Sequence, residues 1–195
     1  MLLYYKINNN GGNILEELVI KAINKDDKAF EDIITLVKND LYRIAQARLE
    51  NIEDINDAIQ ETLIIAYKSI KKLNKPQYFK TWIIKILINE CNKIYNLNNK
   101  KLNLLKKITK NKYFEKFTDE EIFSLEKKME VEEVLKKINY EERICLVLFY
   151  NSKYSIQEIA EILNSNPETI RSRIKRGKNK IREYNQKRGE IENAI

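Results

Sequence analysis

The sequence predicts an all-α protein of two small helical domains, a bundle and a helix-turn-helix domain, joined by a flexible linker. Three observations carry that prediction. Four glycines and two prolines in 195 residues are too few for the tight turns of a β-rich fold. Hydrophobic residues make up 43% of the chain, enough for real cores. Ile and Leu recur at helical spacing in two blocks, which a lysine- and asparagine-rich stretch separates.

The first block spans residues 1–96. Leu15, Leu18, Val19 and Ala22 mark a short amphipathic helix that ends at Asn24-Lys25-Asp26. Asp26 is placed to cap a second helix, which carries Phe30, Ile33, Ile34, Val37, Leu41, Ile44 and Ala45 on one face. A third helix starts near Asp54 and shows Ile55, Ile59, Leu63, Ala66, Tyr67 and Ile70, with Ile59, Leu63, Ala66 and Ile70 as its core stripe. A loop containing Pro76 follows. The fourth helix starts near Phe79 and turns Trp82, Ile83, Ile86, Leu87, Cys91 and Ile94 inward. Residues 97–119 read as a linker, rich in Lys and Asn between Asn96 and Lys112, with Leu102, Leu104, Leu105 and Ile108 leaving room for a short helix. The second block, 120–195, opens with a helix carrying Leu125, Met129, Val134, Leu135 and Ile138, then one carrying Ile144, Val147, Leu148 and Phe149.

Composition narrows the chemistry. There is no histidine, which removes the commonest metal ligand and the commonest neutral-pH base. Cys91 and Cys145 lie far apart in apolar helical patterns and read as buried small hydrophobes rather than a disulfide or zinc site. The acidic pairs Glu120-Glu121 and Glu132-Glu133 are adjacent, so they face apart on a helix and make a poor metal site. No catalytic residue, metal site or cofactor is expected. Met1 to Gly12 show no signal peptide, and no apolar run approaches the roughly 18 residues of a membrane span, so a cytoplasmic location without membrane insertion is expected. The net charge of +7 and pI of about 9.1 favour a polyanionic partner.

Residues 155–184 are the most informative stretch. Ser155 and Glu158 form a capping-box pattern before a short helix with Ile156, Ile159, Ala160 and Leu163 inward. Ala160 is small, as a steep helix crossing requires. Asn164 stands where the chain must turn sharply, and Asn tolerates a left-handed backbone. Asn166, Pro167 and Glu168 then form a helix start of N-cap, N1 and N2. The helix that follows is apolar at Ile170, Ile174 and Ile181 and basic elsewhere, which suits the major groove of DNA. The candidate contacts are Ser155, Pro167, Glu168, Thr169, Arg171, Ser172, Arg173, Lys175 and Arg176.

Given that motif, Asp57-Ala58-Ile59-Gln60-Glu61 and Phe79-Lys80-Thr81-Trp82-Ile83 resemble two signature segments of bacterial sigma factors of the sigma-70 superfamily. Glu158-Ile159-Ala160 with Thr169-Ile170-Arg171-Ser172-Arg173 and Arg176 resembles the family's second DNA-reading region. The nearest class is the two-domain extracytoplasmic-function (ECF) group, and the resemblance runs from about Glu16 to Glu183. It implies a non-catalytic factor that binds core RNA polymerase, directs it to promoter DNA through −10 and −35 elements, and promotes melting. Core binding then falls to Asp57, Gln60, Glu61 and Ile64, which share one helix face. The −10 element falls to Asn74, Lys75, Gln77, Tyr78, Lys80, Lys85, Asn89, Asn92 and Lys93, with Tyr78 and Phe79 as stacking candidates for a flipped base. Tyr78 is the better stacking candidate, because Phe79 and Trp82 also read as core. An anti-sigma factor is a common partner in the family, though no residue here identifies one.

The chain departs from the family pattern in four places. Ile138-Asn139 stands where Leu-Pro is usual, Asn164 replaces a turn glycine, Pro167-Glu168 opens the recognition helix, and the linker is basic where acids are common. Two other classes remain open on sequence alone. A dimeric regulator would bind a palindrome unaided, and a nuclease would cleave in a metal-dependent assay.

Overall fold

The computed structural model describes residues 14–108 and 138–192, and the regular elements within them are all helical. The remainder of the expected linker, 109–119, and the helix carrying Leu125, Met129, Val134 and Leu135 lie outside the described residues.

Helix α1 covers residues 14–23 and buries Val19 and Ala22. A turn at Lys25, with φ 71°, leads to α2 (Asp27–Gln46). The Asp26 carboxylate accepts from the Ala29 N–H at 3.0 Å, satisfying one of the donors a helix start leaves open. Ala29, Ile33, Val37, Leu41, Ile44 and Ala45 are buried, while Phe30 and Ile34 edge the stripe.

Helix α3 (Ile52–Ser69) starts earlier than the sequence suggests, because Asn51 caps it by accepting from the Glu53 N–H at 2.7 Å. Its core stripe is also rotated from the expected one. Ile55, Ala58, Thr62 and Ala66 are buried, whereas Ile59 and Leu63 are only partly covered; Ile70 is buried in the 3₁₀ turn Ile70–Lys72 that follows. The cause is close helix approach. Ala58 and Ala66 leave room for the neighbouring α4, and the Thr62 hydroxyl donates to the Ala58 carbonyl at 2.7 Å, so its burial strands no donor.

A second 3₁₀ turn, Pro76–Tyr78, feeds α4 (Phe79–Ile108). The helix therefore continues into the stretch read as the start of the linker. Residues 79–108 contain no Gly or Pro, and Leu and Lys are good helix formers. Helix α4 packs against both α2 and α3. It buries more of its circumference than one stripe: Ile83 and Leu87 are covered as expected, but so are Ile84 and Ile88, and Trp82 and Ile86 only partly.

The second block opens with the buried Ile138 and α5 (Tyr140–Leu146), capped by Asn139, whose side chain accepts from the Glu142 N–H at 2.9 Å. The chain widens into a π turn, Val147–Asn151, and reaches α6 (Ile156–Ile162) and α7 (Pro167–Glu192). The capping box forms in both directions: Ser155 Oγ accepts from the Glu158 N–H at 3.2 Å, and Glu158 Oε2 accepts from the Ser155 N–H at 2.8 Å. Asn164 takes φ 48°, and Asn166 accepts from the Thr169 N–H at 2.7 Å.

The two blocks meet. Helix α4 packs on α6 as well as on its own bundle, and α2 packs on the π turn. The Arg48 guanidinium lies between the rings of Tyr95 and Tyr140, 3.6 and 3.9 Å from their centroids. Arg143 Nε donates to the Ala47 carbonyl at 2.7 Å. Cys91 and Cys145 are buried free thiols, as expected.

Two predictions follow from this packing. Burial pushes the Cys91 thiol and the Tyr140 phenol each up to about 12, against the opposing pull of the Arg48 charge. A raised acid favours the folded state only while it stays protonated. That stability is whole below the unfolded values of 9.0 and 10.0, and is lost as pH climbs toward 12. Urea midpoints should hold from neutrality to about pH 9 and fall above it; a midpoint that rises through that window would contradict the burial. Replacing the N-cap in Asn166→Ala should cost about 1 kcal/mol, read as a lower thermal midpoint, with Asn166→Asp keeping most of it.

Candidate nucleic-acid interface

Helices α6 and α7 form a helix-turn-helix whose geometry follows from local rules. Ala160 is 5% exposed at the crossing, and Ile159, Ile162, Ile170 and Ile174 fill the wedge between the helices. Helix α7 is held from its other side by α5. The approach there is close enough that a side chain at Gly177 would bring its Cβ within 2.7 Å of Leu146 Cδ1, so the glycine permits the contact.

The expected −35 residues divide by position. Pro167, Glu168, Arg171, Ser172 and Lys175 are exposed, and Thr169 is half-buried beside its cap. Arg171 pairs with Glu168 one turn earlier. Ser155 is exposed, and its hydroxyl is engaged in the capping box, donating to Glu158 Oε2 at 2.7 Å. Arg173 turns back toward α5: its side chain is 21% exposed and pairs with Glu141 at 2.8 Å. Arg176 also reaches α5, where Glu142 accepts from its Nε at 3.2 Å and from Lys180 Nζ at 2.7 Å. Sequence reasoning missed Glu142. Nothing in the sequence of α5 marks one glutamate as buried; the only clue is two cations spaced i, i+4 on another helix.

On the first block, Asp57, Gln60, Glu61 and Ile64 share the exposed face of α3. One turn beyond Ile64, the Tyr67 ring is half exposed, packs edge-on against Phe30 at 5.3 Å and donates its hydroxyl to Asp27 at 2.8 Å. The sequence counts Tyr67 among the apolar positions of this helix, and its hydroxyl explains why the ring stops at the surface.

The expected −10 residues line the turn before α4 and the outer side of that helix. Asn74, Lys75, Gln77, Lys80, Lys85 and Asn89 are exposed. Tyr78 is 50% exposed with Lys75 Nζ 5.8 Å from its ring centre, whereas Phe79 is fully buried and tilted against Trp82 at 5.8 Å. The stacking candidate is therefore Tyr78. Asn92 is half-buried, and Lys93 is tied to the buried Glu90 at 2.7 Å. The structure thus gathers three surfaces, each on an amphipathic helix whose back is core. Among the described residues no cluster of His, Cys, Asp or Glu could hold a metal, and no helix is long and apolar enough to cross a membrane.

Comparison with known proteins bears on these surfaces. Residues 33–96 match the family model for sigma-70 region 2, and residues 128–181 match that for sigma-70 region 4. The chain is 28% identical over 178 residues to the ECF RNA polymerase sigma factor SigW of Bacillus subtilis, covering 84% of this chain and 92% of the relative. It is 26% identical over 150 residues to the RNA polymerase sigma factor SigV of the same organism, covering 73% and 82%. Among solved structures, CnrH in complex with the cytosolic domain of CnrY aligns with a TM-score of 0.65 at 19% identity, over 89% of this chain and 97% of that one. The sigma factor RpoE of Bartonella quintana, in complex with the anti-sigma factor NepR, aligns with a TM-score of 0.63 at 22% identity, over 80% and 96%. With a region 2 bundle and a region 4 helix-turn-helix in the family order, the chain belongs to the sigma-70 family, in its ECF class of non-catalytic transcription initiation factors.

Proposed function

We propose that this chain binds core RNA polymerase through the α3 face of Asp57, Gln60, Glu61 and Ile64 and carries the enzyme to promoters it reads at two elements. The observation that carries this reading is the pairing, on one chain, of an exposed acidic and amide-bearing face on α3 with the basic second helix of a helix-turn-helix. The α3 face is acidic and amide-bearing with one exposed Ile, a composition suited to a partner of complementary charge. Its back is buried, so the face has no structural duty of its own.

In this reading Tyr78 receives a base unstacked from the −10 element. The surrounding Asn74, Lys75, Gln77, Lys80, Lys85, Asn89, Asn92 and Lys93 contact the strand and its phosphates. Unstacking costs a few kcal/mol, and stacking on an exposed ring offsets part of that, which favours the opened duplex. The α7 helix enters the major groove at the −35 element, where Pro167, Glu168, Thr169, Arg171, Ser172 and Lys175 meet base edges and phosphates near its N-terminus. Ser155 contacts the flanking backbone, and Arg176 completes the set, with Arg173 beside it held back by Glu141. The chain works in the cytoplasm with the polymerase. An anti-sigma factor is the natural regulator, as the anti-sigma factor NepR is found bound to the structural neighbour RpoE.

The test is direct binding to purified bacterial core polymerase at low salt. The double variant Asp57→Ala, Glu61→Ala should weaken binding at least about tenfold, since losing a central contact of about 1.4 kcal/mol gives that factor. Its thermal midpoint should be unchanged, because both side chains are exposed. Equal core binding by the variant, or tight promoter binding by the chain alone, would contradict the reading.

A further inference from the structure

We propose that Glu142 is a positioning residue that sets the sequence discrimination of the recognition helix by holding Arg176 in one geometry. The inference rests on the reading that α7 enters the major groove. Glu142 lies on α5, outside the helix-turn-helix, and is 2% exposed. Its carboxylate accepts from Arg176 Nε at 3.2 Å and from Lys180 Nζ at 2.7 Å, one oxygen to each cation. Arg176 Nη1 also donates to Ser172 Oγ at 3.2 Å. The guanidinium is thus gripped at two places, yet 57% of the side chain stays exposed. An arginine so fixed has already given up its rotamer freedom, and its outward N–H groups form a preset fork. Preorganisation of this kind favours one base edge over others.

Charge supports the same conclusion. A buried carboxylate is costly to desolvate, and an apolar residue of similar size would pack α5 on α7 at less cost. Helix packing already has Ile144, Leu148, Ile170 and Ile174 and the close Gly177–Leu146 approach. What an acid adds is control of cations. Glu142 engages two, and the neighbouring Glu141 engages Arg173 at 2.8 Å. Three cations spaced i, i+3 and i+7 on α7 are therefore held by α5 rather than left to any phosphate that comes near. The arrangement lowers sequence-independent attraction while it fixes Arg176.

The experiment uses the full chain assembled with core polymerase and a duplex library randomised over promoter-length DNA. The wild-type holoenzyme first selects a consensus; if it selects none upstream, the groove reading of α7 fails on its own account. On the selected promoter and a copy scrambled upstream, Glu142→Gln should cut the affinity ratio at least about fivefold. Affinity for the scrambled copy should rise, and the slope of log affinity against log salt should steepen by about one to two as cations are released. In an Arg176→Ala background the same change should leave the ratio where that background has it. Glu142→Asp, which keeps the charge but draws it back, should fold and should also lower the ratio. If either glutamate variant folds with a lowered thermal midpoint but keeps the wild-type ratio and salt slope, Glu142 only ties two helices together and the proposal is overturned.

Discussion

The double burial of α4 is the constraint on which the rest of the structure depends. Thirty residues without Gly or Pro form a rod of about 45 Å. Near its start the rod closes a bundle with α2 and α3, and it also packs on α6 of the other block. Each fully covered Ile or Leu contributes about 1.5–3 kcal/mol, so the run of Ile83, Ile84, Leu87 and Ile88 outweighs any single polar contact nearby. The polar side of α4 is what remains after these demands are met. Lys85 and Asn89 are exposed because the other positions are taken.

What the sequence made legible was whatever is local. Asp26, Ser155 with Glu158, and Asn166 act as caps in the structure because a cap needs only a side chain and a backbone N–H two or three residues on. Asn164 turned the chain for the same reason: its left-handed backbone is a property of one residue. The exposure of Tyr78 and the burial of Phe79 also follow from position, since Phe79 begins the apolar register of α4 and Tyr78 precedes it.

The rest depended on partners that no window of sequence contains. Thr62 is polar and falls outside the expected core stripe, but a hydroxyl that bonds its own helix can be buried, and α3 rolls accordingly. Ile84 and Ile88 exceeded the single expected stripe because α4 meets more than one neighbour. Arg173 and Arg176 looked like uniform surface cations until α5 brought Glu141 and Glu142 beside them. The basic count of α7 overstated its freedom to meet phosphates, because an acid on another helix cannot be assigned to it from spacing alone. Family resemblance supplied the sense of the α3 face, which the residues by themselves leave as a solvated surface.

We propose that one chain supplies both the docking face and the promoter-reading surfaces of a transcription initiation factor. Run-off transcription from genomic fragments, with purified core polymerase in the presence and absence of the chain, tests it most directly. New transcripts should appear only with the chain, and their start sites should share two upstream elements at fixed spacing. Transcripts identical with and without the chain, while it remains folded and bound to core, would contradict it.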